Sequence, residues 1–174
     1  MNPFQHIIDE ARTWVLPNWE FVEIGKIQWV YETYGGTWRG PDDDRPRAEI
    51  RCGWDNSAEL VWHEVFHSVF HRCPMKSYDP LWMEGWCNAF AEIHHGNYHP
   101  VAAEQITHDF TYHTRTYLIP CERLLKLADY NKAKLQTLWF TWNATRASES
   151  GEFTQFMGYA PMLRNQWSVC ERGL

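Results

Sequence analysis

Apolar and polar residues alternate from Lys26 to Glu32 in "KIQWVYE", with Ile27, Trp29 and Tyr31 on one side and Lys26, Gln28 and Glu32 on the other. A period of two predicts a half-buried strand. The following "YGGTWRGPDDDRP" is rich in Gly, Pro and Asp and reads as a turn-rich loop. Alternation resumes in "AEIRCGW", where Ala48, Ile50, Cys52 and Trp54 share a side. The two strands are expected to belong to one small antiparallel sheet.

The period then changes. Residues 55–57, "DNS", offer side-chain caps for the first amides of a helix from about Ala58 to Arg72, which must stop before Pro74. Asp79 and Pro80 are a natural N-cap and first helical residue, and Gly96 a natural stop, so a second helix is expected over Leu81 to His95. Helical spacing returns in "CERLLKLADY" and "KLQTLWFTW", and again from Phe153 to Cys170, where Pro161 should kink or break it. The predicted fold class is α+β, a small antiparallel sheet packed on a helix pair and followed by a mainly helical C-terminal lobe. With no repeat and no long linker, residues 1–174 read as one domain, with a sheet-containing part over 1–56, the helix pair over 57–96 and the helical lobe over 97–174.

Composition narrows the function classes. Hydrophobic residues at 44% and charged residues at 22% are ordinary for a soluble globular chain, while 11 Trp among 16% aromatics predict a core of large flat side chains. The net charge of −6 comes with no Lys/Arg cluster, which argues against nucleic acid as a partner. Asp42-Asp43-Asp44 reads as a solvated loop. No stretch approaches the ~18 apolar residues of a membrane span, and the N-terminus lacks a basic segment leading into an apolar one. The expectation is a cytoplasmic chain with no membrane partner, its five scattered cysteines free thiols.

The chemistry lies in the first helix. "VWHEVFHSVFH" contains His63-Glu64-Val65-Phe66-His67, an H-E-x-x-H run whose chance expectation in this composition is roughly 0.04. Residues i and i+4 lie one turn apart on one helix face, so both imidazoles can reach a single Zn2+ at ~2.0–2.1 Å, with Glu64 beside them to hold a water as its base. A third protein ligand is needed. His71 shares the face but lies about 12 Å from His63 along the axis at 1.5 Å per residue, too far for one ion, and reads as a bystander. The metzincin spacing would require Gly at position 70 and His at 73, where this chain has Phe70 and Cys73.

Glu84 lies seventeen positions beyond His67, in Trp82-Met83-Glu84-Gly85-Trp86, which precedes Ala89-Phe90-Ala91-Glu92. Together with the H-E-x-x-H run, this resembles the gluzincins, the zinc peptidases exemplified by thermolysin and aminopeptidase N. The resemblance covers roughly Ala48 to His95. It implies a zincin-like fold, His63, His67 and Glu84 as zinc ligands, and Glu64 as general base. Asn88 stands where thermolysin-like enzymes carry an aspartate that orients a ligand histidine, and would accept the same imidazole N–H. The family's oxyanion donor is a downstream Tyr or His. His108, Tyr112, His113, Arg115, Tyr117 and Tyr78 are all available, with Tyr112 and His113 preferred.

The expected function is peptide-bond hydrolysis by a zinc-activated water, acting on a peptide or protein substrate. The alternative is a zincin-like module for assembly or protein binding, because large aromatics at Trp62, Phe66, Phe70 and Trp86 surround the site. A different amide hydrolase is a third reading. His94, His95 and His99 read as a solvated cluster.

Overall fold

The computed structural model describes residues 2–15, 20–30, 35–53, 58–70, 80–98 and 117–145. A first helix not foreseen from sequence, α1 (Gln5–Arg12), buries Ile7, Ile8 and Ala11, one apolar stripe at helical spacing. Just beyond it, Trp14 is fully buried.

Three strands follow: β1 (Ile24–Trp29), β2 (Gly36–Arg39) and β3 (Ala48–Cys52). Their spatial order is β1-β3-β2, with β3 parallel to β1 and antiparallel to β2. The sheet is therefore mixed, which corrects the antiparallel pairing expected between the two flanking strands. The added strand β2 lies inside the segment read as a loop. Its Thr37 and Trp38 favour a pleated, half-buried surface, and the Trp38 indole N–H donates to Ser68 Oγ at 2.9 Å, pinning the strand to the helix beneath.

The side-chain alternation holds on β3, where Ala48, Ile50 and Cys52 are buried. It fails on β1, whose ladder with β3 shifts register between Ile24 and Lys26. Trp29, expected to face inward, is 39% exposed at the strand end and meets only Phe4 edge-on at 6.0 Å among the described ring contacts. The acidic run behaves as expected: Asp42, Asp43 and Asp44 are exposed, and Arg45 closes the turn onto Gly40 O and Asp42.

Four helices complete the described α+β fold: α2 (Ala58–Phe70), α3 (Pro80–His95), α4 (Ile119–Leu127) and α5 (Lys132–Thr145). α3 ends where expected, with Gly96 at φ +64° and its N–H donating to Glu92 O, the left-handed stop that glycine adopts without a Cβ clash. α5 is capped by Asn131, whose side-chain oxygen accepts from Lys134 N–H at 3.1 Å.

The core is aromatic. Phe66 of α2 stacks on Phe90 of α3 at 4.2 Å, and Trp14 stands edge-on to both at 5.6 and 5.1 Å. Trp139 of α5 packs against Phe66, Phe70 and Trp86, and its indole N–H donates to Trp14 O at 2.7 Å. Such ring pairs add about 0.5–1.5 kcal/mol each beyond the area they bury.

Helices α3 and α4 approach so closely that a Cβ on Gly85 would fall 2.3 Å from Pro120 Cβ and 3.1 Å from its carbonyl carbon. Glycine inside a helix costs about 1 kcal/mol relative to alanine. Here that cost admits the neighbouring helix. Among the described residues, no helix is long and apolar enough to cross a membrane. The capping residues 55–57, Asp79, Tyr31, His71, Cys73 and the helical pattern over 153–170 lie outside the described residues.

Candidate metal centre

Helix α2 has two buried faces. Val61, Val65, Phe66, Val69 and Phe70 enter the core, and Trp62 is 9% exposed beside them. The aromatics suspected of filling the site thus pack away from it. His63 and His67 reach polar groups of α3, and Glu64 reaches β2.

Opposite them, Glu84, Cys87 and Asn88 occupy i, i+3 and i+4 of α3, one face of a single turn. Nε2 of His63 lies 3.1 Å from Oε2 of Glu84 and 3.2 Å from Nε2 of His67, which is itself 3.4 Å from the same Oε2. Three electron-pair donors thus converge on one point. On the outer side of each ring, His63 Nδ1 lies 2.6 Å from Asn88 Oδ1, and His67 Nδ1 lies 3.6 Å from Cys87 Sγ. His63, His67 and Cys87 also have ligand atoms within 4.8 Å of one another, a buried group that could hold a metal ion.

Electrostatics follow the geometry. Burial opposes the charged form of His63, but the Glu84 hydrogen bond, the charges of Glu64 and Glu84, and Asn88 outweigh it, so its pKa is raised. Burial would likewise raise Glu84, yet the hydrogen bonds and charges of His63 and His67 hold its carboxyl down to about 2. Glu84 is a carboxylate at any physiological pH. Burial, reinforced by Glu84 and Glu64, pushes the Cys87 thiol well above its ordinary value.

Glu64, 4% exposed, reaches toward the first residue of β2. A Cβ at Gly36 would fall 2.4 Å from Glu64 Oε1 and 2.6 Å from its Cγ, so the missing side chain is what lets the strand cross the carboxylate. Cys52, paired with Gly36 in the ladder, is fully buried, and burial plus the Glu64 charge push its thiol up to about 12. Cys52, Cys87 and Cys121 are free buried thiols, as expected, while Cys73 and Cys170 lie outside the described residues.

Two rings flank this cluster. Trp38 of β2 lies 6.3 Å from the His67 ring at a 32° tilt, and Tyr117, in a π-helical turn leading into α4, lies 5.9 Å from the His63 ring. The side chains of His63, His67 and Glu84 retain 8%, 11% and 16% exposure, so the site is narrow but not sealed.

The structure brings together five of the residues singled out from sequence, His63, Glu64, His67, Glu84 and Asn88. Tyr112 and His113 lie outside the described residues. Sequence reasoning missed Cys87, Gly36 and Trp38. Cys87 was accessible as the i+3 neighbour of Glu84, but Gly36 and Trp38 required the strand. His94 departs from its solvated reading: it stacks on Trp62 at 4.1 Å and 10°, with a side chain 10% exposed, whereas His95 is exposed. Comparison with protein-family models, with curated proteins and with solved structures gives no match.

Proposed function

We propose that the chain is a zinc-dependent peptidase of gluzincin type with a minimal zincin-like fold, in which His63, His67 and Glu84 hold the ion and Glu64 is the general base. One observation carries this reading: the two Nε2 atoms and Glu84 Oε2 are 3.1–3.4 Å apart. Atoms bonded to one tetrahedral ion at ~2.0–2.1 Å stand about 3.3–3.4 Å from each other. Two imidazoles and a carboxylate are also a donor set suited to zinc with one position left open.

Bound zinc would polarise a scissile carbonyl and acidify water. Glu64 removes the proton from the attacking water and delivers it to the leaving amine, a task suited to a carboxylate. Gly36 leaves the room that carboxylate needs. Asn88 accepts the His63 Nδ1 proton and so keeps Nε2 free to ligate. Among the described tyrosines, Tyr117 is the one beside the His63 ring, which adds it to Tyr112 and His113 as a candidate for the single oxyanion donor.

The limited exposure of the donors favours a second reading, a closed metal site that holds an assembly module together. Purified protein should carry one zinc per chain, lost in His67→Ala. Glu64→Gln should keep the zinc and abolish cleavage of a peptide library. A wild type that binds zinc but cleaves nothing selects the assembly module, and one that binds none ends both readings.

A further inference from the structure

We infer that Cys87 is a positioning residue for the metal, the sulfur acceptor that fixes the His67 ring with Nε2 turned into the ligand triangle; this rests on the zinc reading above.

A neutral imidazole carries one proton. If Nε2 gives its lone pair to an ion, the proton sits on Nδ1 and needs an acceptor within the protein. For His63 that acceptor is Asn88 Oδ1 at 2.6 Å. For His67 the described residues place Cys87 Sγ at 3.6 Å from Nδ1, and the sulfur is fully buried.

The alternative makes Cys87 itself the third ligand beside the two histidines. Against it, the sulfur engages the ring at Nδ1, whereas Glu84 Oε2 lies within 3.4 Å of both Nε2 atoms. A planar ring cannot direct both nitrogens at one ion. One turn of α3 thus supplies the third ligand from position 84 and an orienting acceptor for each histidine from 87 and 88. Trp38, its own N–H tied to Ser68, is a second neighbour of the His67 ring, tilted 32° to it at 6.3 Å between centroids.

The two acceptors are unequal. A thiol sulfur accepts more weakly than an amide oxygen, and His67 is consequently the less firmly oriented ligand.

The test measures zinc affinity of the full chain by chelator competition for wild type, Cys87→Ser, Cys87→Val and Cys87→Ala, with urea midpoints of the metal-free proteins as a folding control. Cys87→Val and Cys87→Ala should weaken zinc binding by about 10–100-fold, the loss typical of a removed orienting partner. Cys87→Ser, which restores an acceptor, should recover most of it. Cobalt-loaded wild type and Cys87→Ser should share one spectrum with no thiolate-to-cobalt charge-transfer band. Unchanged affinity in Cys87→Val and Cys87→Ala would reduce the sulfur to filler, and a charge-transfer band lost in Cys87→Ser would make it a ligand; either overturns the inference. His67→Ala separates the two levels: if it binds zinc like wild type, the zinc reading itself fails, whereas if it loses zinc while the Cys87 variants do not, only this inference fails.

Discussion

The two faces of α2 are buried almost equally and use burial differently. On one, Phe66 and Phe70 meet Phe90, Trp14 and Trp139 over broad ring surfaces at 0% exposure. On the other, His63 at 6% and Glu64 at 4% meet α3 and β2 through single-atom approaches at set distances. The first face tolerates small displacements because dispersion is spread over many atoms. The second does not, because a shift of an ångström would remove a donor from the proposed metal site. Core packing and the proposed metal site thus use different side chains of one helix, and they should be separable by mutation.

The largest effect should come from the core. Phe66→Ala should cost about 3–5 kcal/mol in urea unfolding through the cavity it leaves, while the protein that remains folded keeps its zinc stoichiometry. Loss of zinc from that folded fraction would break the comparison. Next comes Gly85→Ala, whose methyl meets Pro120. Overpacking of this kind costs about 1–3 kcal/mol. Because Glu84 is the adjacent residue, zinc affinity should fall with stability, which would tie core packing to the proposed site at this point.

A smaller effect is expected from pH. Burial on Trp62, with Lys132 and His95 against it and Glu10 in favour, lowers the His94 pKa from 6.5 to about 4. Between those values the unfolded chain binds the proton and the folded chain does not, so stability is full above pH 6.5 and declines as pH falls toward 4. His94→Phe, which keeps a ring against Trp62, should flatten the urea midpoint over this window relative to wild type. An unchanged slope would remove His94 as its source.

Gly36→Ala should also cost stability, about 1–3 kcal/mol by overpacking, because the added Cβ meets Cγ and Cδ of the buried Glu64 as well as its Oε1. Displacing Glu64 should nonetheless leave zinc bound and lower cleavage by about a hundredfold or more. A variant that cleaves like wild type would dissociate the strand from the base.

Local order was legible and non-local order was not. The end of α3 at His95 falls where Gly96 was read as the stop, because a left-handed glycine cap acts over one helical turn, whereas the capping residues 55–57 and Asp79 lie outside the described residues. The meeting of His63 and His67 was likewise a matter of one turn, and Glu84 came into view through resemblance. Pairing of β1 with β3 in parallel left no mark on either segment, since alternation is the same for both directions. β2 was hidden by its own length, four residues among glycines and prolines, and with it went Gly36 and Trp38. Trp29 and His94 exchanged their expected places because exposure depends on which ring happens to lie above: Phe4 covers the first only by an edge, and Trp62 covers the second by a face.

The central position of β3 imposes an order on assembly. β2 and β3 are joined by only the residues 40–47, so their hairpin closes a short loop, whereas β1 must span the hairpin to reach the far edge of the same strand. Loop-closure entropy favours the local pairing first, with β1 docking afterwards. In a chain emerging from a ribosome, β1 would wait without a partner until residue 52 is out, and the strand that carries Gly36 over Glu64 would be anchored before α2 exists to receive it. The sheet edge is then a template on which the H-E-x-x-H helix sets, rather than a cover added to a finished site.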